Sequence, residues 1–273
     1  MGSLVKKSFD LLVSSDPSIG AVNRSAGGGR FSIILDGTEG FGIPNDVQNI
    51  ELQTISAELW YNTPNITVGK NATFAFGYTN QAYSVVIPTG LYSLTQLNMS
   101  IDREIIKLLG NNASGLFSLV ADEAQGKVDI TIKNTGDQID FTVPNSFNEL
   151  LGYDSGIYKS TIPLQTFTGQ KVARFSNLSY YLIQTNMADN GLQINGASEG
   201  IIAKILITAK PSSQLLYQPP NPAIIDVTDT LRGNRNKIFT FTLLDNSKNE
   251  VDTLGEYWSC QIRVSYTTIA NYS

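Results

Sequence analysis

The chain has 273 residues, of which 41% are hydrophobic and 16% are charged, and it carries a formal net charge of −5 with no histidine. This composition excludes a disordered chain and predicts one large domain, or one domain with a sizeable insertion. The missing histidine removes the commonest general base and metal ligand, the lone Cys260 excludes an internal disulfide, and the negative charge disfavours direct nucleic-acid binding.

Residues 1–29 are expected to form a flexible N-terminal arm, because they end in the glycine-rich run "NRSAGGGR". The Gly-Lys-Ser/Thr of a phosphate-binding loop does not follow, so a hinge is favoured. The first residues contain no apolar run long enough for a signal peptide, and no stretch reaches the length of a membrane span. We therefore expect a soluble protein that is made without secretion.

Strand patterns dominate from Arg30 onward. "RFSIIL" is a short apolar run, and in "IELQTISAELWYNTPNI" the apolar Ile55, Ala57 and Leu59 alternate with polar residues. "ATFAFGY" and "AYSVVIPTG" follow, and the second ends in a Pro-Thr-Gly turn. These segments predict an antiparallel β protein.

One clear helix comes next, in "SLTQLNMSIDREIIKLLG". Ser93 and Gln96 have the spacing of a capping box, and Gly110 is a suitable stop. Five apolar residues recur at helical spacing and predict one buried stripe: Leu94, Leu97, Ile101, Ile105 and Leu108.

The stretch "PNSFNELLGYDSGIY" at 144–158 follows a predicted hairpin, "LFSLVADEAQGKVDITIKN", and a strand, "QIDFTV". Its Ser146, Glu149 and Asp154 are residue types that can do chemistry. Ser146 and Glu149 are also spaced as a capping box, which would explain both without catalysis. We therefore predict a short capped helix that is closed at Gly152 and buries three side chains: Phe147, Leu150 and Leu151.

The C-terminal half returns to strands: "LSYYLIQTNM", "GIIAKILITA", "AIIDV", "KIFTFTLLD" and "YWSCQIRVSYTT". The last one alternates cleanly, with Trp258, Cys260 and Ile262 on one face. The polar turn "LLDNSKNEVD" predicts that the final two strands are a hairpin or close neighbours. About nine to twelve strands with one or two short helices predict an all-β, antiparallel jelly-roll sandwich.

Other groups of polar residues have plain structural interpretations. The carboxylates at Asp122/Glu123 and Asp189/Glu199 lie in polar loops, where solvated surface is the default and a glycosidase pair the alternative. A calcium loop or a hairpin turn would explain one group of loop residues: Asp245, Asn246, Asn249 and Asp252. A nucleic-acid contact, a salt-bridged subunit contact or a solvated loop would explain a second group: Arg232, Arg235 and Lys237.

Sequons of the N-x-S/T type occur at a frequency that chance explains in an Asn-rich chain, at Asn23, Asn65, Asn71, Asn98, Asn112, Asn177 and Asn271. We assign no catalytic, cofactor-binding or metal-binding residue. We expect no enzyme activity and no cofactor.

The order and spacing of three stretches resemble the penton (minor capsid) protein of virophages and of the related Polinton/Maverick and polinton-like viruses. They are "IPTGLYSLTQLNMSIDREI" (87–105), "GKVDITIKN…IDFTVPNSFNELLGY" (126–153) and "IFTFTLLDNSKNEV…WSCQIRVSY" (238–266). The stretch "LSYYLIQTNMADNGLQ" departs from the family's strand rich in Tyr, Val and Asp.

The resemblance implies a jelly-roll capsid domain over residues 30–273, with a helix-and-hairpin insertion at about 88–170. It implies a homopentamer at the five-fold vertices of an icosahedral virion that is assembled inside the host cell. Its partners would be major capsid protein capsomers and other minor capsid or spike proteins.

Two alternatives remain open. One is a viral or phage spike that binds a receptor glycan through a jelly roll. The other is a carboxylate-dependent glycoside hydrolase on a sandwich fold, which the two tryptophans and the lack of a convincing acid pair disfavour.

Overall fold

A computed structural model describes residues 3–35, 43, 46–175, 178–193, 199–232 and 238–270. The chain divides into two compact units. Unit 1 comprises Met1–Thr63 and Leu178–Ser273, and unit 2 is the continuous segment Pro64–Asn177. The inserted unit thus begins and ends outside the expected bounds of 88–170, because the strands that flank the helix and hairpin share one core with them.

The described strands are β1 (Ser3–Ser14), β2 (Arg30–Ile34), β3 (Ile50–Trp60), β4 (Thr73–Tyr78), β5 (Gln81–Val86), β6 (Phe117–Asp122), β7 (Lys127–Ile132), β8 (Gln138–Asp140), β9 (Ile157–Lys159), β10 (Gln165–Thr168), β11 (Tyr180–Thr185), β12 (Ile201–Leu206), β13 (Gln214–Tyr217), β14 (Ile225–Asp226), β15 (Ile238–Leu244) and β16 (Ser259–Ala270). The α-helices are α1 (Leu94–Leu109), α2 (Asn148–Leu151) and α3 (Thr228–Leu231).

Unit 1 is a jelly roll. Its first sheet has the order β1-β16-β3-β13, with β14 paired to the other end of β3, and its second sheet has the order β12-β11-β15-β2. If β13 and β14 are counted as one interrupted strand, the strands in chain order run 1-8-3-6 in one sheet and 5-4-7-2 in the other. All of these pairs are antiparallel. The predicted antiparallel jelly-roll fold is confirmed.

The core of unit 1 lies between the two sheets. Phe31 of β2 stacks on Phe241 of β15 at 5.7 Å and meets Trp258 edge-on at 5.1 Å. The predicted alternation of β3 changes phase at Ile55, because Thr54 pairs with Ile262 and Ser56 with Gln261. Ile55 is therefore the extra residue of a β-bulge and is half-buried, whereas its neighbours in the predicted stripe, Ala57 and Leu59, are buried.

The N-terminal segment differs from the expected flexible arm, because Ser3–Ser14 pairs with β16 along its whole length. The glycine run is also fixed. Leu243 donates its N–H to the Gly29 carbonyl at 2.7 Å, and Trp258 donates its indole N–H to the Gly28 carbonyl at 3.2 Å. Here glycine permits a close approach of two backbones, since a Cβ on Gly29 would lie 2.2 Å from the Val251 oxygen.

The last two strands are neither a hairpin nor neighbours in one sheet, so that prediction is wrong. The Val251 amide donates to the Leu243 carbonyl, so the chain after the turn runs back beside the end of β15 for a few residues. It then leaves that sheet, and β16 lies in the first sheet between β1 and β3. The turn at 245–249 is formed by hydrogen bonds between residues that are close in sequence, whereas the change of sheet depends on the pairing of β16 with β1 and β3, which are distant in sequence.

Unit 2 contains two antiparallel sheets, β5-β4-β8-β9 and β10-β7-β6, together with α1 and α2. Phe74 is central, with ring contacts to Phe76, Phe117 and Phe147 at 6.0, 5.3 and 5.7 Å. The β6–β7 hairpin forms as predicted. This core combines residues from both sheets and both helices.

Helix α1 confirms the predicted capping box. The Ser93 hydroxyl accepts from the Gln96 amide, and the Gln96 side chain accepts from the Ser93 amide. The buried stripe holds for its middle, whereas the side chain of Leu108 is 49% exposed. Leu109 packs on the core in its place, because the stripe drifts at the helix end.

Candidate functional site

The stretch 144–158 does not bring its three candidate residues together, and its predicted capping box is wrong. Helix α2 begins after Phe147, with no side-chain cap within the described part of the chain. Ser146 lies one residue too early because it forms a β-bridge with Thr73. Its hydroxyl oxygen is buried without a hydrogen-bond partner among the described residues, and Glu149 is exposed.

The other half of that prediction is confirmed. Three apolar side chains of the stretch are buried, and Gly152 closes the helix with a φ of 79°. The Tyr153 hydroxyl donates to the Val128 carbonyl at 2.9 Å, and burial raises the pKa of this phenol. Asp154 instead pairs with Lys171 at 2.6 Å on the surface. The three buried apolar side chains of the stretch are those predicted from the sequence: Phe147, Leu150 and Leu151.

Asp122 and Asp245 use their carboxylates in local turns. Asp122 accepts the backbone N–H groups of Ala124 and Gln125 and so shapes the β6–β7 turn. Its neighbour Glu123 is exposed. The Asp245 carboxylate accepts the backbone N–H groups of Ser247 and Asn249, both at 2.8 Å. These bonds close a tight turn, as the hairpin-turn interpretation of this group predicts.

The remaining residues of the two loop groups lie at the surface or outside the described residues. Asp252 accepts the Leu254 amide at 2.9 Å, and Asn246 is exposed. Arg232 donates to the Gln48 carbonyl at 2.9 Å, whereas Arg235 and Lys237 lie outside the described residues. In the part of the chain that the structure describes, no three acidic or cysteine side chains gather in a way that would hold a metal ion.

Asp189 and Glu199 line the same pocket of unit 1, which has a volume of about 410 Å³. Both carboxylates have partners. Glu199 forms an ion pair with Lys248 at 2.8 Å, and Thr230 donates its hydroxyl to Asp189 at 3.0 Å. This arrangement explains the two acids as structural groups.

Three of the sequon asparagines have structural roles. Asn65 donates to the carbonyls of Tyr92 and Phe175, Asn71 donates to the Asn65 carbonyl, and Asn98 accepts from an amide of β6. Two more, at Asn23 and Asn112, are exposed. The last two, at Asn177 and Asn271, lie outside the described residues.

The outer face of the first sheet exposes four apolar side chains with polar residues such as Glu58 and Gln261 between them, and we call these four the sheet patch: Leu12, Trp60, Leu216 and Tyr257, with exposures of 69%, 42%, 60% and 48%. Strand register places Trp60 beside Gln214, and Glu58 beside both Leu216 and Ser259. A shallow pocket of about 90 Å³ is lined by Glu58, Trp60, Gln214 and Tyr257, among others. A mixed surface with exposed aromatic side chains among polar residues is typical of protein interfaces.

The same face is charged from the level of Asp10, next to Leu12, to its far end. Lys6 pairs with Glu51 at 2.6 Å, and Arg263 donates to both carboxylate oxygens of Asp10, at 2.7 and 2.9 Å. The hydrogen bond from Arg263 lowers the pKa of Asp10. The face is therefore divided into an ion-paired region and the apolar sheet patch.

Our reading of the sequence did not single out the sheet patch, although a signal for it was present. The alternation that buries Ala57 and Leu59 must turn Glu58 and Trp60 outward. An outward tryptophan in a chain with two tryptophans was the available clue. Within the described ranges, no helix is both long and apolar enough to cross a bilayer.

Comparisons with known proteins give structural matches over nearly the whole chain. The mavirus penton protein matches with a TM-score of 0.47 and 11% identity, over 97% of this chain and all of that one. A chain of the Sputnik virophage matches with a TM-score of 0.38 and 11% identity, over 95% and 97% of the two chains. No family model and no curated protein sequence matches. The fold assignment comes from the strand order of unit 1 described above.

Proposed function

We propose that the chain is a structural subunit of a viral capsid, and that it forms a homopentamer at the five-fold vertices of an icosahedral shell. The observation that carries the proposal is the jelly-roll strand order of unit 1, combined with motifs that resemble virophage pentons. Such a subunit requires complementary side faces and no reaction centre. The proposal includes no catalytic activity.

The sheet patch supplies one of those side faces in this proposal. A closed ring uses heterologous contacts, so the patch of one copy would meet a different surface of the next copy. Aromatic side chains such as Trp60 and Tyr257 are enriched at the centres of protein interfaces. The charged region beside the patch would then form part of the rim.

Mass measurement of the purified chain under native conditions tests the pentamer. We expect five copies for the native chain, and a shift toward monomer for the Leu216→Ser variant. The control is Ile224→Ser, since Ile224 is exposed to a similar extent, 62% against 60%, outside the patch. A native chain that stays monomeric at all concentrations, in the presence of the other shell proteins, would refute the proposal.

The remaining partners follow from the same proposal. At a five-fold vertex the pentamer would contact capsomers of the major capsid protein and other minor capsid or spike proteins, in a virion assembled inside the host cell. A symmetry-resolved image of the particle should show the jelly roll of unit 1 at the vertices. Density for this chain elsewhere in the shell would contradict this placement.

A second candidate is a spike that binds a receptor glycan. It is favoured by one observation, namely that the exposed ring of Trp60 shares a pocket with Glu58, Gln214 and Tyr257, whose ring is covered on one face by the Arg24 guanidinium at 4.9 Å. Rings that stack on sugars beside amide and carboxylate hydrogen-bonding groups are suited to saccharides. Binding on a glycan array that is lost in Trp60→Ala, by a chain that does not form pentamers, would favour this candidate.

A further inference from the structure

The loop that joins β9 to β10 in unit 2 exposes three consecutive apolar residues. Ile162 is 60% exposed and Leu164 is 68% exposed, with the exposed Pro163 between them. We call these three residues the apolar tip. Single exposed apolar side chains are ordinary on protein surfaces, but a contiguous group at the end of a loop calls for an explanation.

The loop beneath the apolar tip is held firmly. Ser160 is 1% exposed, its amide donates to the Asp137 carbonyl at 2.9 Å, and its hydroxyl donates to the Ile162 carbonyl. Leu164 has a φ of 56°, which is unfavourable for leucine, and its amide donates to the Lys133 carbonyl at 3.1 Å. The surrounding contacts therefore maintain a strained conformation that presents the apolar tip to solvent.

Two lysines lie next to the apolar tip along the chain or through a backbone hydrogen bond, and Asp140 lies opposite Ile157 on the neighbouring strand β8. Lys133 accepts the hydrogen bond from the tip through its carbonyl, Lys159 precedes the loop on β9, and both lysines are exposed. Ile157, which is 56% exposed, lies on the same face of β9 as Lys159. Within the loop base, the Asp137 side chain is turned inward, where it accepts from the Asn134 amide at 2.8 Å.

We propose that the apolar tip inserts into a lipid bilayer that contains anionic lipids. Ile162 and Leu164 would enter the boundary between headgroups and acyl chains, while Lys133 and Lys159 remain at the level of the phosphates. The charge of these two lysines selects an anionic surface over a neutral one. If the pentamer proposed above is correct, several copies would bind together and multiply the weak affinity of one loop.

Flotation of the full chain with vesicles tests this proposal. We expect binding to vesicles of phosphatidylcholine with phosphatidylserine, and weaker binding to phosphatidylcholine alone. The double variant Ile162→Asn, Leu164→Asn should lose about tenfold in affinity or more, because asparagine tolerates the positive φ but removes the apolar groups. The control Val172→Asn replaces a residue of unit 2 that is 59% exposed, and it should bind like the native chain.

Each lysine should contribute about fivefold to binding of the anionic vesicles, so Lys133→Gln and Lys159→Gln together should lose about 25-fold. Insertion itself can be followed with an environment-sensitive dye on Ile162→Cys, since the natural Cys260 is buried and inert to labelling. We expect a blue shift of the dye on addition of anionic vesicles, and none for the same dye on Val172→Cys.

Three results would overturn the proposal, and each differs from a failure of the pentamer. The native chain would not float with either type of vesicle. The asparagine double variant would bind as well as the native chain. Alternatively, the lysine variant alone would lose binding with no blue shift at Ile162, which would indicate adsorption without insertion. Loss of shell incorporation in the tip variant, without any binding to vesicles, would instead assign the tip to a protein partner.

Discussion

Substitution of the glycine run by alanine, one position at a time, distinguishes a fixed corner from a flexible linker. In a flexible linker, Gly27→Ala, Gly28→Ala and Gly29→Ala would have similar, slightly stabilising effects through the unfolded chain. In the structure they differ. A Cβ on Gly29 would lie 2.2 Å from the Val251 oxygen, whereas a Cβ on Gly27 would make its nearest contact at 3.4 Å, an ordinary distance.

The size of the Gly29→Ala effect follows from these distances. Relieving the contact requires the Val251 carbonyl and Gly29 to separate by about 1 Å, which is overpacking that costs about 1–3 kcal/mol. The same movement strains the 2.7 Å hydrogen bond from Leu243 to the Gly29 carbonyl, which is worth about 1 kcal/mol. We therefore expect a loss of about 2–4 kcal/mol for Gly29→Ala, and a change within about 1 kcal/mol for Gly27→Ala.

Unfolding in urea, followed by tryptophan fluorescence, measures this difference. Trp60 and Trp258 both belong to unit 1, so the signal reports this unit alone. With a slope of about 2 kcal/mol per molar urea, Gly29→Ala should move the midpoint down by about 1–2 M. Equal midpoints for Gly29→Ala and Gly27→Ala would refute the fixed corner and restore the flexible arm.

Three further predictions concern single side chains. Phe147→Ala should destabilise unit 2 by about 3–5 kcal/mol in a thermal melt followed by the circular dichroism of its helices, while Glu149→Ala should change the unfolding free energy by no more than about 0.5 kcal/mol. An equal loss for Glu149→Ala would restore its capping role. Because Arg263 lowers the pKa of Asp10 below its ordinary 3.8, the pair should stabilise the fold above that pH and lose this effect as the pH falls through the lowered value. In Asp10→Asn the acid side of the plot of unfolding free energy against pH should therefore be flatter, and an unchanged plot would contradict the pairing. Burial raises the pKa of the Cys260 thiol to about 12, so a thiol reagent at mildly alkaline pH should label it only as fast as unit 1 unfolds, and immediate labelling of the native chain would refute this.

The sequence predicted best those features whose partners lie nearby in the chain. The capping box of Ser93 and Gln96, the stop at Gly110 and the β6–β7 hairpin need only a few residues each, and all are present. Burial of Ile101 and Ile105 follows from the same local period.

The errors came from distant partners that composition does not show. Ser146 has the spacing of a cap, but its bridge to Thr73 moves the helix start by one residue. A glycine run has the same composition whether it is a flexible linker or a fixed segment that lets two backbones approach closely. Here the segment is fixed because its backbone lies against Val251, which is more than two hundred positions away in the sequence. The sheet patch was missed because alternation identifies outward residues without telling which strands will be neighbours.

The pairing of β1 with β16 has a consequence for the order in which the chain folds during synthesis. The partners Asp10 and Arg263 are 253 positions apart, whereas unit 2 is one continuous segment. Unit 2 can therefore complete its core while β1 and β3 still wait for the strand that lies between them. Until β16 leaves the ribosome, the edges of both strands remain open, and in this period the chain is most exposed to wrong pairing with its own copies.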